Sequence, residues 1–148
     1  MTNVTIRPIN AGDRAAWSPL WAGYLAFYET TIAPEVTERT WTRLTNADGM
    51  SALLAIDTDG SAIGFAHFMF HPTTWSLSDT CYLEDLFVAP AARGKRVGRQ
   101  LIAAVTDAAR AKGAASLYWH TEEFNGTARR LYERVAKRTP FIRYRTDL

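Results

Sequence analysis

Cysteine is almost absent. Cys81 is the only one in 148 residues, so no intrachain disulfide can form and a cross-linked secreted scaffold is excluded. Long apolar runs are missing as well: nothing approaches the ~18 consecutive apolar residues of a membrane span, and Met1 to Arg14 lacks the apolar core of a leader. A soluble cytoplasmic protein without membrane partners is therefore expected. Histidine is scarce, and His67, His71 and His120 show no metal-ligand spacing with one another or with Cys81, so no metal is expected. Repeats, low-complexity tracts and linkers are lacking, which leaves a single domain over residues 1–148. The net charge of +2 gives no general attraction to nucleic acid.

One stretch lacks acidic residues altogether. From Arg93 to Arg99 the chain reads Arg-Gly-Lys-Arg-Val-Gly-Arg, a positive field confined to one loop. The loop follows the apolar segment Tyr82-Leu83-Glu84-Asp85-Leu86-Phe87-Val88 and opens into an amphipathic stripe of Val97, Leu101, Ile102, Val105, Ala108 and Ala109. A strand, a glycine-containing basic loop and a helix N-terminus in that order make a site for a compact polyanion, because the first peptide N–H groups of a helix lack partners and carry its positive dipole end. An ATP-binding P-loop is disfavoured, since no Gly-Lys-Ser or Gly-Lys-Thr ending is present.

The rest of the chain supplies the frame. Strands are expected at Val4–Arg7, Ser51–Ile56, Ala62–Phe70, Cys81–Val88, Ser116–His120 and Phe141–Arg145, with Asp57-Thr58-Asp59-Gly60 turning between the second and third. Helices are expected after Asp13, with Pro19 inside the pattern, over Thr37–Leu44 with Thr37 as cap, from Val97 to Lys112, and from Gly126 to Ala136. The last should bury Ala128, Leu131, Tyr132, Val135 and Ala136. The class is α/β, a mixed sheet with helices on its faces. The crossover from the Cys81 strand to the Ser116 strand should be right-handed and parallel. Alternation sends Glu84 and Asp85 to opposite faces unless a bulge intervenes.

Four pieces in this order and spacing are similar to the GNAT superfamily of N-acetyltransferases: Ile6-Arg7-Pro8, Tyr28-Glu29, Tyr82-Leu83-Glu84-Asp85 with Phe87-Val88, and Asn125 followed by Leu131-Tyr132. The basic loop resembles the family's acetyl-CoA signature, Arg or Gln, two free positions, Gly, one free position, then Gly or Ala, at Arg93, Arg96 and Gly98. Arg96 stands where the signature has its first glycine. Either it is helical and outward, or it sits at positive φ under strain. The pattern looks closest to the diamine or spermidine/spermine acetyltransferase branch.

The resemblance implies a twisted, mostly antiparallel mixed sheet of six to seven strands with about four helices, acetyl-CoA as co-substrate, and a homodimer. It implies transfer of acetyl to a primary amine of a small molecule such as a diamine, polyamine or lysine-like compound, by direct attack. A protein, peptide or aminoglycoside acceptor is the alternative within the enzyme class, and a non-catalytic acyl-CoA-binding regulatory module the alternative outside it. Glu84 would take the amine's proton, directly or through water, and Tyr132 would protonate the leaving thiolate; the competing readings are a surface carboxylate and a core aromatic. The resemblance also implies a local bulge in this strand, which would free backbone N–H groups at Leu86, Phe87 and Val88 to hold the pantetheine arm and polarise the thioester carbonyl. Arg93, Gly94, Lys95, Arg96, Val97, Gly98, Arg99, Asn125 and Ala128 would hold the rest of the cofactor, with helix capping as the other role for Asn125. Tyr28, Glu29, Glu84, Trp119 and His120 would meet the acceptor, against packing for Tyr28, Trp119 and His120. Cys81, in an apolar strand, reads as a buried inert thiol.

Overall fold

A computed structural model of the protein describes residues 3–148. Five strands form one sheet in the order β1-β2-β3-β4-β5: β1 Thr5–Pro8, β2 Ser51–Ile56, β3 Ala62–His71, β4 Thr80–Val88 and β5 Ser116–Tyr118. The first four pair antiparallel, and β4 pairs parallel with β5. The Asp57–Gly60 turn closes between β2 and β3 with a Gly60 N–H to Asp57 carbonyl bond of 2.9 Å.

The helices are α1 Arg14–Phe27, α2 Pro34–Thr45, α3 Val97–Ala111 and α4 Gly126–Val135. Each sheet face carries its own core. On one, Val97, Leu101, Ile102 and Val105 of α3 pack on Leu53, Ala66, Phe68, Cys81 and Leu83. On the other, Trp17, Leu20 and Trp21 of α1 and Leu44 of α2 pack on Leu54, Phe65 and Phe87. The α3 stripe is the one legible at three- and four-residue spacing, and burial of such side chains contributes about 1.5–3 kcal/mol each.

Several expectations are corrected. The sheet has five strands among the described residues, not six or seven, because Phe141–Arg145 forms no strand. A strand needs an edge to pair with, and β5 ends at Tyr118 rather than His120. The second helix begins at Pro34, whose fixed φ suits the first helical position; Thr37 lies inside it, its hydroxyl accepting the Trp21 indole N–H at 3.1 Å. Asp13 precedes α1 but spends its carboxylate on Arg7, in two bonds of 2.8 Å, and on the Asn10 N–H at 2.8 Å. Pro19 is accommodated within one helix. In α4 the expected core residues Ala128, Leu131, Tyr132 and Val135 are half-buried and Ala136 is exposed.

Candidate active site

The basic loop has the geometry of an anion cradle. After a short 3₁₀ turn at Pro90–Ala92, Gly94 adopts φ 83° and Arg96 adopts φ 62°, ψ 19°, immediately before Val97 begins α3. Of the two conformations open to Arg96, the protein uses the strained left-handed one, which glycine takes freely and an L-residue holds at a cost of about 1–2 kcal/mol. No side chain caps α3, so its first N–H groups are left for a ligand. A Cβ on Gly98 would lie 3.6 Å from a Leu131 methyl, an ordinary contact, which agrees with a signature that accepts Gly or Ala there. Arg93 pins the loop to the strand: its Nε donates to the Val88 carbonyl at 3.2 Å, and its guanidinium lies over Phe27 and Phe87 at 5.5 and 5.8 Å. Lys95 and Arg99 are exposed on the same loop.

The strand beside it is half unpaired. β5 accompanies β4 only across Thr80, Cys81 and Tyr82, so from Leu83 onward that edge of β4 is open, with no strand paired to it among the described residues. The Ala89 N–H reaches the Ile63 carbonyl at 2.8 Å on the β3 side. Two-residue alternation then turns Phe87 toward β3 and the peptide groups of Leu86 and Val88 toward the open edge. The Arg93 bond to the Val88 carbonyl agrees with that orientation.

Register between β3 and β4 shifts at one place: His67 faces Asp85, Phe68 faces Leu83, and Glu84 is the extra residue of a bulge. The slip changes which face each side chain takes. Leu83 points to the α3 face and Phe87 to the α1 face, so alternation counted from either side places both Glu84 and Asp85 on the α1 face. The bulge that the family resemblance implies is present, and with it the two carboxylates share a face instead of opposing one another. Crowding by surrounding groups, although Glu84 reaches solvent, pushes its carboxyl above the ordinary glutamate range. The Asp85 charge adds to the rise, and Arg143 of the C-terminal segment works against it.

Behind the bulge runs a chain of hydrogen bonds that the sequence reading missed. The Trp17 indole donates to His67 Nε2 at 3.0 Å, His67 Nδ1 meets Asp85 Oδ2 at 2.9 Å, and the Tyr24 hydroxyl donates to Asp85 Oδ1 at 2.6 Å. Burial, followed by the Asp85 charge, raises the Tyr24 hydroxyl far above its usual range. The available signal was a lone histidine at an inward position of the apolar strand Ala62–Phe70.

Other predicted residues separate by face. Tyr132 packs with Trp119, ring centroids 5.5 Å apart, against the α3-side core. Burial, with the Tyr28 hydroxyl adding to it, pushes Tyr132 up to about 12. His120 turns the other way, its Nδ1 3.3 Å from the Tyr82 hydroxyl and its ring edge-on to Tyr82. Asn125 caps α4, its side chain accepting the Ala128 N–H at 3.3 Å. Tyr28 and Asn125 line one cavity of ≈ 300 Å³ between the end of α1 and the start of α4. Glu29, at φ 50°, lines a different one of ≈ 420 Å³ between α1 and α2, so the two neighbours in sequence do not share a pocket. Cys81 is fully buried, and burial pushes its thiol up to about 11, the state of an unreactive core residue.

Comparison with known proteins agrees with this geometry. The model of the Acetyltransferase (GNAT) family matches residues 16–136. The D-amino-acid N-acetyltransferase of Saccharomyces cerevisiae is 38% identical over 146 residues, covering 97% of this chain and 91% of the yeast protein. An N-acetyltransferase of Bacillus subtilis is 34% identical over 144 residues and covers 95% of both. Among solved structures, the ribosomal-protein-alanine N-acetyltransferase from Brucella melitensis biovar Abortus superposes with a TM-score of 0.83 at 23% identity, over 98% of this chain and 99% of its own. The AAC(6')-Iy complex with a coenzyme A–acetylneamine bisubstrate analogue gives 0.79 at 24% identity, over 97% and 99%. The two structures share the fold, and the two sequence relatives support the family without singling out a polyamine branch. The uncapped basic loop, the open strand edge and the matches across nearly the whole chain converge: the chain belongs to the acetyltransferase (GNAT) family and is an acetyl-CoA-dependent N-acetyltransferase.

Proposed function

We propose that the acceptor is the primary amine of a small molecule, in particular of an amino acid, and that it docks on the α1 face against Glu84. The observation that carries this reading is the bulge, which puts the Glu84 and Asp85 carboxylates on one face beside the open edge of β4. Arg143 acts on Glu84 and Tyr82 from the C-terminal segment. A carboxylate for the ammonium with a guanidinium next to it suits a zwitterion better than a polycation. The 38% identical yeast relative, named for D-amino acids, supports the same class.

The residues fit the co-substrate. The N–H groups of Val97, Gly98 and Arg99 with the Arg96 and Lys95 side chains would take its pyrophosphate, and the Leu86 and Val88 peptides on the open edge would take the pantetheine arm. Acetyl-CoA supplies an activated acyl group as a thioester. An alkylammonium holds its proton to a pH of roughly 10, so the amine must lose that proton before it attacks. Glu84 accepts it, and a carboxyl pushed above its ordinary range is the stronger base for the task. Tyr132, protonated throughout the physiological range, supplies the proton for the leaving sulfur. N–H groups on the open edge polarise the acyl carbonyl, and alignment of the two substrates accounts for much of the remaining acceleration.

Incubation with acetyl-CoA and a panel of D- and L-amino acids, diamines, polyamines, an aminoglycoside and peptides, read by mass spectrometry, tests the assignment. N-acetylated amino acids are the expected products. Acetylation of peptides alone would discard the small-molecule reading while leaving the family intact. In Arg143→Ala, KM should rise about tenfold for amino acids and little for diamines, the difference between keeping and losing one charge-assisted contact.

A further inference from the structure

The bulge leaves one carboxylate for the acceptor and ties the other down. Asp85 Oδ2 meets His67 Nδ1 at 2.9 Å and Asp85 Oδ1 receives the Tyr24 hydroxyl at 2.6 Å. An indole nitrogen can only donate, so the Trp17 bond of 3.0 Å fixes His67 Nε2 as an acceptor and places the ring proton on Nδ1, facing Asp85. Both Asp85 oxygens therefore face donors, which holds the side chain in one orientation. His67 is 2% exposed and Trp17 fully buried, so the chain ends in a closed core with no exit for a proton. It orients a charge and does not conduct one.

We propose that Asp85 is a positioning residue of the acetyl-transfer site, a fixed carboxylate that governs proton uptake by Glu84 without touching the reacting atoms, and that His67 is what keeps it fixed. The inference rests on Glu84 as the base. The groups facing the pair are Tyr24 and Tyr28 from α1, His67 from β3, Tyr82 from β4 and Arg143 from the C-terminal segment, with Glu122 acting on Tyr28. Of these, Asp85 is bound at both oxygens and adjacent to Glu84 in the chain, so its carboxylate is the one fixed in position beside the base. A negative neighbour favours the protonated form of Glu84. Removing that charge must weaken the base and move its titration to lower pH.

Asp85→Asn tests this with little change of shape. The amide oxygen still accepts from His67, and the Tyr24 hydroxyl can rotate to accept from the amide nitrogen. Glu84 is followed in the free enzyme by carbon-detected NMR of ¹³C-labelled carboxyl groups, assigned with Glu84→Gln, and kcat/KM is measured across pH with the best acceptor. The expected result is a downward shift of about 1 pH unit in both the Glu84 titration and the acidic limb. An unmoved Glu84 titration in folded Asp85→Asn overturns the proposal, whatever happens to the rate. A second pair of variants decides the role of His67. His67→Leu should lose about tenfold in kcat/KM at neutral pH, while His67→Asn, which keeps a donor at the Nδ1 position, should recover most of it. Equal loss in both variants assigns His67 a packing role and overturns that half. If the wild type acetylates no amine, the functional reading fails, and the NMR titration still decides whether Asp85 controls Glu84.

Discussion

Arg96 departs from the family's loop at a position where the backbone leaves little choice. At φ 62° the Cβ is crowded, and glycine would relieve the conformation without losing a hydrogen bond from the side chain to the helix end, since none caps α3. Arg96→Gly is therefore expected to stabilise the protein by about 0.5–1 kcal/mol in thermal or urea unfolding. Calorimetric titration with acetyl-CoA separates two roles: affinity preserved or improved makes Arg96 a tolerated variant of the signature, and a severe loss makes its guanidinium a direct pyrophosphate ligand. Tyr132 carries a second expectation. With its hydroxyl pushed up to about 12, it remains a proton donor until strongly alkaline pH, so it contributes no basic limb to the rate below about pH 10. Tyr132→Phe should lower kcat on the order of 10²-fold, with the KM for acetyl-CoA little changed; an undiminished kcat would reduce Tyr132 to a packing partner of Trp119.

At the scale of elements, the Arg7–Asp13 pair fastens β1 to the start of α1. Arg7 makes two bonds of 2.8 Å to a carboxylate that also caps the Asn10 N–H, and those Arg7 bonds hold Asp13 below the ordinary aspartate range against the opposing effect of burial. A lowered folded-state value means that the stabilisation is complete above the unfolded value near 3.8 and disappears as pH falls through the lower folded one. Discounted for the half-exposed Arg7, Asp13→Asn should cost about 1–2 kcal/mol at pH 7. The difference from wild type should vanish near pH 2; a constant difference in urea unfolding at both pH values would show that shape, not charge, holds the joint. Asp13's partner was not legible beforehand, and the bulge was expected only through the family resemblance. Local patterns foretold β2, β3, β4 and α3 to within a residue or two, because periodicity and turn residues are properties of short stretches. The bulge depends on how β4 registers against β3, and the Asp85 network joins α1, β3 and β4 across as many as 61 positions, so neither leaves a local trace. The basic loop and Glu84 were legible because sequence neighbours build them.

For the molecule as a whole, the C-terminal segment stands out for its exposed apolar side chains. Phe141, Ile142 and Tyr144 are 83%, 74% and 87% exposed, and the last strand of the sheet, β5, is three residues long and unpaired on its outer side among the described residues. Exposed apolar side chains this close together in sequence call for a cover, and an isologous second copy offers the same segment in return. We propose that the homodimer implied by the family resemblance forms through this segment. Light scattering should give twice the 16.6 kDa chain mass at micromolar concentration. Phe141→Ser with Ile142→Ser and Tyr144→Ser should yield a monomer that keeps the α3 core and the basic loop, and with them acetyl-CoA binding. Because Arg143 lies within the same segment and acts on Glu84, loss of the dimer should also raise KM for the acceptor more than it changes the affinity for acetyl-CoA. A wild-type monomer, or a triple variant that remains dimeric, would remove the segment from the interface and leave Arg143 as a contribution of its own chain alone.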